Sequence, residues 1–300
     1  MLSMDEIRPR LKEVKFAFYR LRKNPLSLLG IGIVLVFVVI TIFAPLMASP
    51  NQPNPYKTPK VVSYEPLPPG REYWFGTSGL PGYSDIYYGV IWGTRISFML
   101  AIVVVGLALL LGISIGSIAG YLGGNVDEIL MRMTDVFFAL PSLLLAMVLV
   151  SILGKGTMVV ITALTIVWWP AYARLIRAEI LRVKESLFVE AARVMGVGEF
   201  TILFKHVLPN SISPILVLAS LDMGRVVLST AALGFLGLGF DPGTAEWGIL
   251  ISEGRQWFLH GAWWITFFPG LAILTYVLGW NLLGDALRDI LDPRTRRGVI

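Results

Sequence analysis

Long apolar runs alternate along the chain with short stretches rich in charge, glycine and proline, and within each run the apolar residues are continuous rather than every second one. About 20 such residues cross a hydrocarbon core of roughly 30 Å as a helix, and only a helix satisfies its own backbone there. Six runs are legible: residues 26–48, 96–118, 129–152, 158–175, 215–236 and 264–283, with Pro141 inside the third and Pro170 inside the fourth. The pattern predicts an all-α membrane protein with six transmembrane helices. The strict alternation of a barrel strand does not occur in these runs.

Composition supports this reading: 55% of the 300 residues are hydrophobic and 15% charged, with a mean hydropathy of +0.71. Those values lie outside the range of soluble domains. Lys and Arg then orient the helices. Of 25 basic residues, 18 fall on one side: seven within residues 1–23, Arg132, six within 174–205 and four within 288–297. The opposite loops hold five, Lys57, Lys60, Arg71, Lys155 and Arg255. Positive residues concentrate inside, so both termini are expected to be cytoplasmic. The net charge of +5 follows from this asymmetry rather than from a nucleic-acid surface. No small-residue cleavage site follows the first run, so the first helix is expected to be retained.

The chain is therefore expected to divide into a cytoplasmic N-terminal segment (1–25), a first helix with an external Pro/aromatic-rich segment (26–94), a five-helix core (95–284) and a cytoplasmic tail (285–300). The core carries a cytoplasmic loop at 178–212. The first external segment has eight prolines between positions 50 and 81, interleaved with tyrosine and tryptophan, and reads either as a rigid lid or as a docking surface. In the second, residues 234–264, glycines and Pro242 break the helix, and "EWGILISEGRQWF" predicts a short amphipathic helix before Trp263 and Trp264 at the interface. Gly112, Gly116 and Gly120, four apart, make a smooth ridge for close helix packing.

Candidate chemistry is sparse. There is no cysteine, and the two histidines, His206 and His260, fall on opposite sides, so no metal site is expected. The phosphate-loop pattern GxxxxGK[ST] does not occur, and no serine has a recognisable base and orienting partner. No catalytic residue and no bound cofactor are expected. Charge inside spans is costly and meaningful. Asp222 and Arg225, three apart, read either as a neutralised packing pair or as the lining of a translocation path. Glu128, Arg132 and Asp135 share one helical face, as a charge ladder or a gating contact.

The loop "KESLFVEAARVMGVGEFTILFKHVLPN" predicts two short helices. Ser186 caps the first, Glu190 lies in its second turn, Gly196 and Gly198 end it, and Leu208 and Pro209 stop the second. Ala191 and Ala192, followed at helical spacing by Met195, give a small-residue face suited to another protein's groove or to the chain's own helix ends.

The series Glu190-Ala191-Ala192, Gly196, Leu208-Pro209 resembles the EAA loop of ATP-binding-cassette (ABC) importer permeases. In that family the loop holds the coupling helix that docks on a separate ATPase subunit. "GYLGGNVDEILMRMTDVFFALP", "FLGLGFDPGTAEWG" and "WNLLGDALRDILDPR" are similar to segments of the C-type permease subunit of the dipeptide, oligopeptide and nickel branch, and the likeness covers most of residues 75–294. Two departures stand out. Ser78 and "GLPGYSDI" replace an acidic residue and a Gly-Arg-Asp triplet, and Thr230 takes the place of a fifth-span glutamate. The resemblance implies a type I ABC importer permease in the cell membrane, forming half of a pore with a second related permease. It further implies two ATPase subunits that use ATP and Mg, an external solute-binding protein, and peptides as substrate, with oligosaccharides or nickel as alternatives. A self-contained ion-coupled transporter using Asp222, Arg225 and Asp135, and a structural scaffold, are the competing readings.

Overall fold

In a computed structural model the described residues are 24–291 except 51, 52, 62, 80, 81 and 83; the N-terminal basic segment and the end of the C-terminal tail lie outside them. Helix α1 is Pro25–Met47, opened by Asn24, whose side chain accepts from the Leu26 N–H at 3.0 Å, with proline at the first helical position. Helix α2, Ile86–Leu122, is 37 residues long and starts well before the expected residue 96. Asp85 caps it, accepting from the Tyr88 N–H at 3.2 Å, and the extra turns bury Tyr88 and Trp92 under the preceding segment. At about 1.5 Å per residue such a helix outruns a bilayer core of roughly 30 Å.

The third apolar run is not one continuous helix. It is two, α3 (Gly124–Phe138) and α4 (Ser142–Leu153), bent by 86°. Pro141 has no N–H to give and disfavours helical backbone at Leu140, which breaks the run there. Pro170, by contrast, stays inside α5, Thr157–Lys184, which runs on past the expected end at 175 through a charged stretch. Then follow α6 (Leu187–Val194), α7 (residues 199–211, with π geometry over Ile202–Val207), α8 (Ser213–Phe235), α9 (Trp247–Gly254) and α10 (Trp264–Leu291).

Among the described residues five helices are each long and apolar enough to cross a membrane, and the bent pair taken as one span makes a sixth. Asp127 near the start of α3 pairs with Arg177 near the end of α5, whereas Gly156, just after α4, donates its N–H to Gly239 at the opposite pole. The pair therefore traverses the bundle once. One pole carries residues 185–212 (the loop pole); the other carries residues 48–85 and 236–263 (the lid pole).

The glycine ridge sets the closest helix pair. A Cβ at Gly112 would stand 2.4 Å from the Tyr172 Cβ, and one at Gly116 would stand 2.2 Å from the Ala173 carbonyl oxygen. Further along, a Cβ at Gly120 would meet the Arg177 carbonyl oxygen at 2.9 Å. No side chain fits, so α2 and α5 pack backbone to backbone.

At the lid pole the proline-rich segment packs onto the helix ends, as the lid reading expects. Tyr88 Oη donates to the Pro55 carbonyl at 2.7 Å, Trp92 Nε1 to that of Ala48 at 2.9 Å, and Phe75 stacks on Phe268 at 4.1 Å. The Ala245 N–H donates to the Tyr56 carbonyl at 2.7 Å, joining the two external segments. Helix α9 does not lie on the surface as an amphipathic interfacial turn would. Trp247 is fully buried and a Cβ at Gly248 would stand 2.0 Å from the Ala231 carbonyl oxygen, so α9 is inserted into the bundle against α8.

Candidate functional site

At the loop pole, Leu187–Val194 forms the expected first short helix, α6, but Ser186 does not cap it with its hydroxyl: Ser186 Oγ donates instead to the Val183 carbonyl at 2.6 Å. Glu190 falls in the first turn, not the second. The C-terminus is fixed as predicted by Gly196, with φ of +78°. Its N–H donates to Arg193 at 2.9 Å and the Val197 N–H donates to Ala192 at 3.1 Å, which is the Schellman arrangement.

The two alanines part company. Val189 and Ala192 face inward and are buried, whereas Leu187, Glu190, Ala191, Val194 and Met195 share the outer face. Leu187 and Val194 are each 84% exposed and Met195 75%. Glu190 makes no ion pair among the described residues. Phe200 and Phe204, one turn apart on α7 with ring centroids 4.5 Å apart, are also exposed on this loop. That apolar pair lies outside the residues of the loop motif, although its i, i+4 spacing is legible in "GEFTILFKHV".

Pro209 does not stop the second helix. Its ring cannot donate to the carbonyl one turn back, and the preceding turn widens: the Leu208 N–H reaches Leu203, five residues back, and the helix continues to Ser211.

Four side chains lock this loop to the bundle. Tyr121, near the end of α2, donates its phenol hydrogen to the Glu199 carboxylate, which also accepts from Arg193 Nε at 3.1 Å. Those two donors hold the Glu199 carboxyl below the usual range. Lys184 Nζ donates to the Tyr121 carbonyl at 2.7 Å and lies over its ring.

The charge ladder of α3 is only half formed. Arg132 pairs with Glu128 at 3.4 Å, with both side chains largely exposed. Asp135 turns instead to Arg174 of α5, because that guanidinium, sitting over the Phe138 ring at 4.1 Å, reaches across the helix interface. Asp127 and Arg177 make a two-pronged pair at 2.5 Å on each prong. In the middle of the bundle Asp222 and Arg225 do meet, at 3.3 Å, and Asp222 also accepts from the Tyr172 hydroxyl at 2.8 Å. Asp222 is buried, but the Arg225 side chain is 62% exposed at mid-height.

These features define a polytopic helical membrane protein with a broken span, a mid-bundle charge at its surface and an exposed short helix on a loop tied to the bundle. Residues 112–297 match the family of binding-protein-dependent transport system inner membrane components, and residues 15–69 match the N-terminal TM domain of oligopeptide transport permease C. The chain belongs to that transport family and is a permease subunit of an ABC importer. It is 39% identical over 280 residues to the dipeptide transport system permease protein DppC of Alkalihalophilus pseudofirmus, covering 93% of this chain and 90% of the relative. The oligopeptide transport system permease protein OppC of Bacillus subtilis is 36% identical, covering 94% of this chain and 90% of the relative. A chain of the MetNI methionine ABC transporter in inward-facing conformations is 20% identical with a TM-score of 0.54, over 68% of this chain and 96% of that one, and shares the fold. Membership in this family sets aside the secondary-transporter and scaffold readings.

Proposed function

We propose that the loop pole faces the cytoplasm, with both chain ends on that side, and that α6 is the contact through which a separate ATPase subunit drives this permease. The exposed apolar face of Leu187, Val194 and Met195 carries the reading, because a soluble-side helix of eight residues gains little by leaving such groups in water. Glu190, Ala191, Met195 and Gly196 make or shape the contact. Ala192 supports it from beneath, and Leu208 and Pro209 shape the widened turn of α7 behind it. ATP and Mg act on the partner, and this chain supplies no catalytic group.

In the full assembly a second related permease completes the pore, two ATPase subunits sit at the loop pole, and an external solute-binding protein sits at the lid pole. The half-exposed Arg225 at mid-span supports a pore half: a guanidinium facing hydrocarbon is costly, whereas one facing a second subunit or an aqueous path is not. Arg132 and Asp135, at the near end of the broken span, are gating candidates. The names of the relatives support di- and oligopeptides as the solute, with oligosaccharides or nickel as the outcomes to be tested against. In the reconstituted assembly, Gly196→Pro and Glu190→Arg are expected to abolish solute-stimulated ATP hydrolysis and uptake, and a photocrosslinker at position 191 should reach the ATP-hydrolysing chain. Intact activity in both variants sinks the coupling assignment.

A further inference from the structure

Where the ends of α5, α8 and α10 converge at the loop pole, beside the start of α6, there is a cavity of about 620 Å³. Its wall includes Arg182 and Arg288, Ser213 and Asn210, and on the apolar side Phe188 and Val217, and among the described residues no carboxylate lines it. Arg288 has no hydrogen-bond or ion-pair partner among the described residues. Arg182 uses Nε and one terminal nitrogen on Glu179, leaving its other terminal nitrogen, and Asn210 uses one amide hydrogen on the His206 carbonyl, leaving the second. The Ser213 hydroxyl has no hydrogen-bond partner among the described residues. Among the described residues, unsatisfied donors thus converge from four elements, α5, α7, α8 and α10, and two of the donors are permanently charged.

We propose that this cavity is an anion site for a phosphate group, at the membrane–water boundary where three spans end. Two guanidinium groups recognise phosphate oxygens by paired N–H donors, and Ser213 and Asn210 supply neutral donors between them. Phe188 and Val217 suit the glycerol or acyl part of a phospholipid, whose headgroup lies at this depth. A soluble phosphate ester offers the same oxygens without the apolar part. Because Phe188 belongs to α6, an occupant would bear directly on the helix that couples to the ATPase.

The test is binding, read without transport or ATP hydrolysis, so its failure leaves the coupling reading untouched. The purified full-length chain in nanodiscs is compared with Arg182→Gln/Arg288→Gln for retention of phosphatidylglycerol against phosphatidylcholine by native mass spectrometry. Glycerol 3-phosphate binding is measured separately by calorimetry. Each arginine near the surface is expected to contribute about fivefold, so the double variant should retain anionic ligand roughly 25-fold less well. Lys205→Gln, which removes a loop charge outside the cavity, should not change retention. Arginine-dependent retention of phosphatidylglycerol supports a lipid headgroup, and arginine-dependent binding of glycerol 3-phosphate supports a soluble ester. Equal retention by wild type and double variant in both arms overturns the site.

Discussion

The Tyr121 phenol donates to the Glu199 carboxylate, so the end of α2 is tied to the first turn of α7 across 78 positions of sequence. Arg193 at the end of α6 reaches the same carboxylate. On the coupling role proposed for α6, a displacement of that helix would be handed through Glu199 to α2, the helix whose glycine ridge is in backbone contact with α5. Tyr121→Phe removes the donor while keeping the ring under Lys184. Uptake per ATP hydrolysed is expected to fall several-fold in the reconstituted assembly, with basal ATPase kept. Glu199→Gln should act the same way, and the double variant should be no worse than either single one. Additive losses would show that the two residues do not act through one contact.

The α2–α5 contact makes a steric prediction. Gly116→Ala places a methyl group 2.2 Å from the Ala173 carbonyl oxygen, a clash that only backbone separation relieves. Overpacking of this sort costs about 1–3 kcal/mol, and thermal unfolding in detergent should show a clear drop in Tm. Gly106→Ala, on the same helix with nothing within 4 Å of the added Cβ, should be neutral or slightly stabilising. Equal effects at the two positions would mean that the ridge is not a packing surface.

Much of this was legible in the sequence for a physical reason: hydrocarbon demands long apolar helices, so the spans stand out, and Gly196 and the glycine ridge each have a backbone requirement only glycine meets. What escaped was set by tertiary neighbours. The early start of α2 depends on lid residues such as Pro55 and Ala48 accepting from Tyr88 and Trp92. The opposite facing of Ala191 and Ala192 depends on where α5 and α7 sit beneath α6. Asp135 chose Arg174 over Arg132 because an interhelical partner lay closer than the intrahelical one, which spacing within one helix cannot reveal. Pro141 and Pro170 look alike as letters, yet only the first breaks its helix.

Asp222 accepts from both Tyr172 and Arg225, so its removal leaves a buried hydroxyl without an acceptor. Asp222→Ala is expected to lower stability by about 1–3 kcal/mol. Asp222→Asn keeps an acceptor for Tyr172 and should recover most of that loss while weakening the link to Arg225. If transport falls in both but stability only in the alanine variant, the pair does more than pack. Matching stability losses in the two variants would argue that the charge, not the hydrogen bond to Tyr172, holds the site.

Glu246, at the start of α9, has no solvent exposure; one oxygen accepts from the Ile249 N–H at 3.0 Å, and the side chain lies against Gly234 of α8. Burial pushes its carboxyl up to about 7 from an ordinary value of 4.5. Between those values this carboxyl binds more protons in the folded chain than in the unfolded one, so its contribution to stability is most favourable at low pH and falls as pH rises through that window. It levels off above about 7, where both states are ionised, and the full fall is on the order of 3 kcal/mol. Glu246→Gln keeps an acceptor for Ile249 and removes the titration. Wild type and variant should therefore unfold at similar temperatures near pH 5, with the variant ahead near pH 8. Glu253, also raised by burial, is common to both chains and drops out of the difference. A Tm difference that stays constant from pH 5 to 8 would mean that Glu246 does not titrate in the folded protein over that range.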